Sequence, residues 1–135
     1  MMEAFVERID GGRELLGEIA RVTGEKGLRS SWILGAIGAL DRAELGVYDP
    51  QNRKYDRFSL EGHLELVSSQ GNVSEDGGVH MHCTIGEGEH TFAGHLMSGH
   101  ISIFVEIAFL KLDVRLGRKA INGVLKELRV DRRGS

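Results

Sequence analysis

At 135 residues the chain is long enough for one domain that buries roughly two-thirds of the surface its unfolded state exposes. With 41% apolar and 27% charged residues it has the composition of an ordinary globular protein, and no apolar run approaches the ~20 residues that span a bilayer. The net charge of −3 excludes nucleic-acid affinity through bulk charge, and the single cysteine, Cys83, excludes an internal disulfide framework. That cysteine usage, with no basic-then-apolar leader in "MMEAFVERIDGG", predicts a soluble protein of the reducing cytoplasm.

In chain order, residues 3–9 alternate as a strand and Asp10-Gly11-Gly12 turns the chain. Residues 13–28 place Leu15, Leu16, Ile19, Ala20 and Val22 on one helical stripe, with Gly24 and Gly27 as terminators. "SSWILGAIGAL" reads as a buried strand with a bulge or close backbone approach at Gly35 or Gly38, and "RAELGVYD" as its hairpin partner, closed by the turn "DPQNRK". Two strands follow at "YDRFSL" and "HLELVSSQ", then a polar loop "GNVSEDGG", a histidine-rich hairpin over 79–97 and an apolar strand "HISIFVEIAFL". Residues 111–130 fit a strand followed by a short helix or a last strand. The expected class is α+β: a mainly antiparallel sheet with one clear helix near the N-terminus, in a single domain over 1–135.

Charge is uneven along this chain. Residues 111–135 hold eight Lys/Arg against three acids, so a basic C-terminal segment follows an acidic body. Such a segment is a solvated end or a surface that touches phosphates.

The stretch "GGVHMHCTIGEGEHTFAGHL" holds four of the six histidines. If Glu87-Gly88 forms a two-residue hairpin loop, His80 lies opposite His95, and His82 points from the same face as His80 because strand side chains alternate. Directly opposed residues hold their Cβ atoms about 4.5–5.5 Å apart, within reach of a shared ion. His80, His82, Thr84, Thr91, Ala93 and His95 then line one face, while Met81, Cys83, Ile85, Phe92 and Leu96 line the core face. His90 falls on the core side near the turn and is no ligand candidate. Three neutral imidazoles suit zinc, with copper, nickel or iron(II) chemically possible; the alternative is three unliganded surface histidines.

These residues carry a resemblance. "SWILGAIGALDRAELGVYD", "FSLEGHLELVSSQGNV", "HMHCTIGEGEHTFAGHL" and "FVEIAF" together resemble the plants and prokaryotes conserved domain, over nearly the whole chain. Ala93 stands where that family usually has the first glycine of its Gly-Gly-His-Leu signature. The resemblance implies a compact α+β domain, assembly as a homotrimer and a metal, zinc in the first place, held at His80, His82 and His95. It also brings a DNA-binding association, derived from plant relatives that carry an Arg-Gly-Arg-Pro AT-hook. This chain has no such hook: its only proline, Pro50, follows Asp49.

Glu106 sits in the apolar strand "IFVEIAF", where a buried carboxylate needs a partner. It is a candidate for orienting a metal-bound imidazole or water from outside the ligand set, or for a structural ion pair or subunit contact. Cys83 reads as core packing, and His63 and His100 as ordinary surface or hydrogen-bonding groups. "GEGE" has no Lys-Ser/Thr and no helix after it, so it is no phosphate loop.

Two functional classes remain. The first is a metal-binding domain acting through association, in regulation or on DNA. The second uses the open position of a three-histidine metal, either as a zinc enzyme of small molecules or as a binder of an anion or metabolite. No catalytic residue beyond the ligands stands out, which leans against the enzyme.

Overall fold

The computed structural model describes residues 3–132; Met1, Met2 and the last three residues of the basic segment lie outside the described residues. The elements are β1 (Glu3–Asp10), α1 (Leu15–Glu25), β2 (Ser31–Asp49), β3 (Lys54–Val73), β4 (Val79–Glu87), β5 (His90–Lys111), β6 (Val114–Ala120) and β7 (Lys126–Arg132). Strand accounts for 72% and helix for 8%, so the α+β expectation is corrected: the fold is nearly all-β. The amphipathic stripe that suggested a helix is real, but it is one short element laid against a sheet.

The main sheet runs β1-β5-β2-β3-β4, and β4 pairs back onto β5. Strands β2, β3, β4 and β5 thus close into a ring of antiparallel pairs, with β1 appended along the far half of β5. Closure removes most free strand edges, which otherwise invite pairing with other chains. The interior holds Ile33, Leu40, Leu45, Leu64, Leu66, Met81, Ile85, Leu96, Val105 and Phe109, all buried. Each full burial of such a side chain contributes about 1.5–3 kcal/mol.

The hairpin expected within residues 30–49 is corrected as well. Residues 31–49 form one continuous strand, paired with β5 through several register shifts. Likewise "YDRFSL" and "HLELVSSQ" belong to a single strand, β3. The close backbone approach expected at Gly35 or Gly38 is present at Gly38, where a Cβ would stand 2.3 Å from the Phe104 carbonyl oxygen. The "DPQNRK" turn does reverse the chain, with Asp49 Oδ1 accepting from the backbone N–H groups of Gln51 and Asn52.

Helix α1 starts at Glu14, whose carboxylate accepts from the N–H of Leu16 (3.1 Å) and Gly17 (2.8 Å). The same carboxylate accepts from Gly99 N–H at 3.0 Å, which ties the helix start to β5. Leu15, Ile19 and Val22 enter the core. The helix ends at Lys26 followed by Gly27 with φ +67°, the left-handed conformation expected of that glycine, whereas Gly24 lies inside the helix.

Residues 114–132 settle the ambiguous tail as a two-stranded ribbon, β6–β7. It is pinned at Leu116, which is buried. Leu116 N–H donates to Ser30 Oγ (3.0 Å), its carbonyl accepts from Glu75 N–H (2.8 Å), and Ser30 Oγ donates to the Glu75 carboxylate. At the ribbon's tip, Asn122 Nδ2 donates to Tyr48 Oη at 3.1 Å.

Candidate metal centre

The β4–β5 hairpin turns through Gly88-Glu89, with Gly88 at φ +57°, so Glu87 pairs with His90 and His82 stands opposite His95. The expected register is thus off by two, and His80 lies one step beyond the directly opposed pair. A slip of two keeps every side chain on its face, whereas a slip of one would have buried the histidines. Met81, Cys83, Ile85 and Leu96 face the core as expected, and His90 is corrected to an exposed position beside the turn.

On the outer face the triad forms. One ring nitrogen from each of His80, His82 and His95 lies within 4.8 Å of the others. Nε2 of His80 and Nε2 of His82 are 3.1 Å apart, and the three ring centroids are separated by 5.0, 5.0 and 5.2 Å. Tetrahedral zinc with Zn–N of 2.0–2.1 Å needs nitrogens about 3.3 Å apart, so the donor set fits with small side-chain rotations. Among the described residues no carboxylate or thiol joins this cluster.

Backbone architecture sets His80. β3 approaches β4 so closely that a Cβ on Gly71 would stand 2.0 Å from the His80 carbonyl oxygen. Burial, then the nearby charge of Arg118 and the other two imidazoles, pushes His80 down to about 4, and His95 is also lowered, chiefly by burial. Both rings are therefore neutral near pH 7, the form that binds metal.

Two residues missed by the sequence reading complete the site. Tyr55 Oη lies 3.5 Å from His95 Nδ1, with ring centroids 5.1 Å apart, where it can orient that imidazole. Arg118, from β6, donates through Nη2 to the Asn72 side-chain carbonyl and to His80 Nδ1 at 3.2 Å. Neither carries a local signal: Tyr55 is far from the hairpin in sequence, and Arg118 looked like one more base in a solvated tail.

Glu106 is exposed rather than buried, opposite Arg8 on β1 and Ile37 on β2. It lines the same broad outer groove as His82 but has no hydrogen bond to the triad. His100 Nδ1 meets Asp41 Oδ1 at 2.6 Å and His63 is exposed, both outside the cluster.

A closed antiparallel sheet with three converging imidazoles on its outer face defines a small β-domain with a histidine cluster. The particular family follows from comparison: the profile of the Plants and Prokaryotes Conserved (PCC) domain matches residues 1–113, and the chain belongs to that family. AF0104 from Archaeoglobus fulgidus, described as a metal-containing protein, is similar with a TM-score of 0.75 and 34% identity, over 82% of this chain and 79% of that one. A Bacteroides thetaiotaomicron structure, described as a candidate DNA-binding protein, has a TM-score of 0.82 and 25% identity, over 95% of this chain and 91% of that one. The bifunctional protein GlmU of Synechococcus sp. (strain JA-3-3Ab) is 29% identical over 99 residues, 73% of this chain. This chain spans only 15% of that relative's length. Among the described residues no helix is long and apolar enough to cross a membrane.

Proposed function

We propose that this chain is a metal-binding domain that holds one divalent transition metal, zinc by the chemistry of its donors, at His80, His82 and His95. The observation that carries this reading is the convergence of three imidazole nitrogens within 4.8 Å, with no other cluster of potential ligands among the described residues. The similarity to a metal-containing archaeal protein supports it. Metal analysis by mass spectrometry on untagged protein purified without added zinc is the test. About one zinc per chain, lost in His80→Ala/His82→Ala, is the expected result; no metal in either protein overturns the reading.

The domain acts as a homotrimer in this proposal. Support comes from the outer face of the sheet, where Val6, Leu34, Ile37 and Val67 are exposed around an open groove of about 660 Å³. Apolar surface grouped this way on a small domain is characteristic of an interface. Sedimentation equilibrium giving three times the chain mass, reduced by Ile37→Glu, is expected; a monomer at micromolar concentration would remove this part.

DNA is the second reading, favoured by the Bacteroides relative and by the exposed Arg115 and Lys119 of the ribbon. The ribbon spends other charges internally, since Arg118 points at His80 and Arg129 pairs with Glu127 at 2.8 Å. A duplex affinity that falls with salt by several log–log units would establish it, and absence of binding near physiological salt would dismiss it.

A further inference from the structure

A cavity of about 560 Å³ lies between the ribbon and the outer face of β3–β5, with His80 and His95 in its wall. Three cations line it, Arg57, Arg118 and Lys126, against one carboxylate, Asp76. Asp76 is already engaged: its Oδ1 accepts from the Ser74 hydroxyl (2.5 Å) and from Gly78 N–H (3.0 Å). Arg57 is shared with Glu44 at 3.0 Å.

Arg118 hydrogen-bonds no carboxylate; Asp76 is the one acidic group of the cavity that acts on it, through space, while its Oδ1 is held by Ser74 and Gly78. Arg118 is half-buried, both of its hydrogen bonds leave from Nη2, and both go to neutral groups, the Asn72 amide and the His80 ring. Nη1 and Nε have no partner among the described residues. A half-buried guanidinium with unused donors is costly, and its fork matches oxyanion geometry.

We propose that this cavity binds a small organic oxyanion, a carboxylate or phosphate on a compact apolar body, with its head group between Arg118 and the metal of the histidine triad. The proposal rests on the three-histidine metal reading above. The remainder of the ligand packs against Met97, Val124 and Leu125 on the cavity wall.

The hydrogen-bond chemistry of His80 couples the two sites. A guanidinium only donates, so the His80 Nδ1 that faces it accepts, and a neutral ring then carries its proton on Nε2, toward His82. Ligation through Nε2 moves that proton to Nδ1, where two donors would face one another. With a metal held there, Arg118 would be turned away from His80, and its freed N–H groups, close to a dication, would be open to an anion. Metal and oxyanion each favour the state that the other needs, so their affinities rise together, by one common factor.

Isothermal titration calorimetry on the full chain tests this, with zinc-loaded and EDTA-stripped samples titrated with benzoate, phenyl phosphate and neutral benzamide. Zinc content is measured on the same samples. Saturable 1:1 binding of benzoate or phenyl phosphate to the zinc-loaded chain is expected, at least ~10-fold tighter than benzamide, and whichever binds tighter names the head group. Arg118→Gln weakens it by at least ~10-fold while zinc content stays at one per chain; Lys126→Gln, at the exposed ribbon, weakens it by about threefold without touching the fold. Zinc bound at one per chain with no oxyanion binding, or with benzamide bound equally well, or with both variants unchanged, overturns the cavity and leaves the metal centre standing. The EDTA-stripped chain binds the oxyanion at least ~10-fold more weakly; Arg118-dependent binding that is equally tight with and without zinc overturns the placement of the head group at the metal.

Discussion

The β4–β5 hairpin and the β6–β7 ribbon meet at the same site, yet they are built on different terms. The hairpin is part of the closed ring, lies inside the family match and places its histidines by strand alternation. The ribbon begins at residue 114, one past the end of that match, and reaches the site by a few anchors: buried Leu116, its bonds to Ser30 and Glu75, and Arg118 against Asn72 and His80. The donor set is therefore supported by the core of the fold, and what surrounds it is supported by a detachable element.

The largest expected effect comes from attacking the hairpin's support. Gly71→Ala puts a methyl group 2.0 Å from the His80 carbonyl oxygen, so β3 and β4 must separate. A loss of about 3 kcal/mol, read from urea unfolding, is expected together with loss of zinc uptake. Unchanged stability would mean that the close approach of β3 to β4 is not what fixes His80.

Attacking the ribbon should be milder and local. Leu116→Ala removes its one buried anchor, at a cost of about 2–3 kcal/mol to ribbon docking. Faster amide exchange over residues 114–132 is expected, with zinc still at one per chain. If zinc is lost as well, the two regions are not separable in the way their contacts indicate.

A smaller effect is expected at the ring that Tyr55 orients. Tyr55→Phe keeps the contact with the His95 ring and removes the hydroxyl near Nδ1, and should weaken zinc by about 10-fold in a competition with a chromophoric chelator. Glu106→Gln is the matched control, because the exposed Glu106 makes no hydrogen bond to the triad; zinc affinity should stay within about twofold.

The smallest effect concerns the reverse face of the hairpin. Burial pushes the Cys83 thiol up to about 11, so it remains protonated and inert to iodoacetamide at pH 8 in the folded chain. Unfolding in urea restores the ordinary thiol and with it the reaction. Labelling of the native protein at pH 8 would show that this face opens.

Much of this was legible locally. Alternation over residues 79–97 assigned His80, His82 and His95 to one face, and Cys83 and Met81 to the other, even though the turn was placed one residue early. The helical stripe and Gly27 were legible for the same reason: they depend on neighbours within a turn or two. The close approach at Gly38 was legible too, but the hairpin break expected after Leu40 is only a register shift inside one long strand, because continued pairing with β3 and β5 is a long-range outcome.

By itself the sequence determined which residues face outward on each strand and which residue types could hold a metal, because side-chain direction follows from backbone periodicity alone. Only the tertiary structure decided that the strands close into a ring, that Glu106 stands in solvent, and that Arg118 and Tyr55 flank the triad. Those outcomes depend on long-range pairing and on where a distant ribbon docks, and no local pattern encodes either.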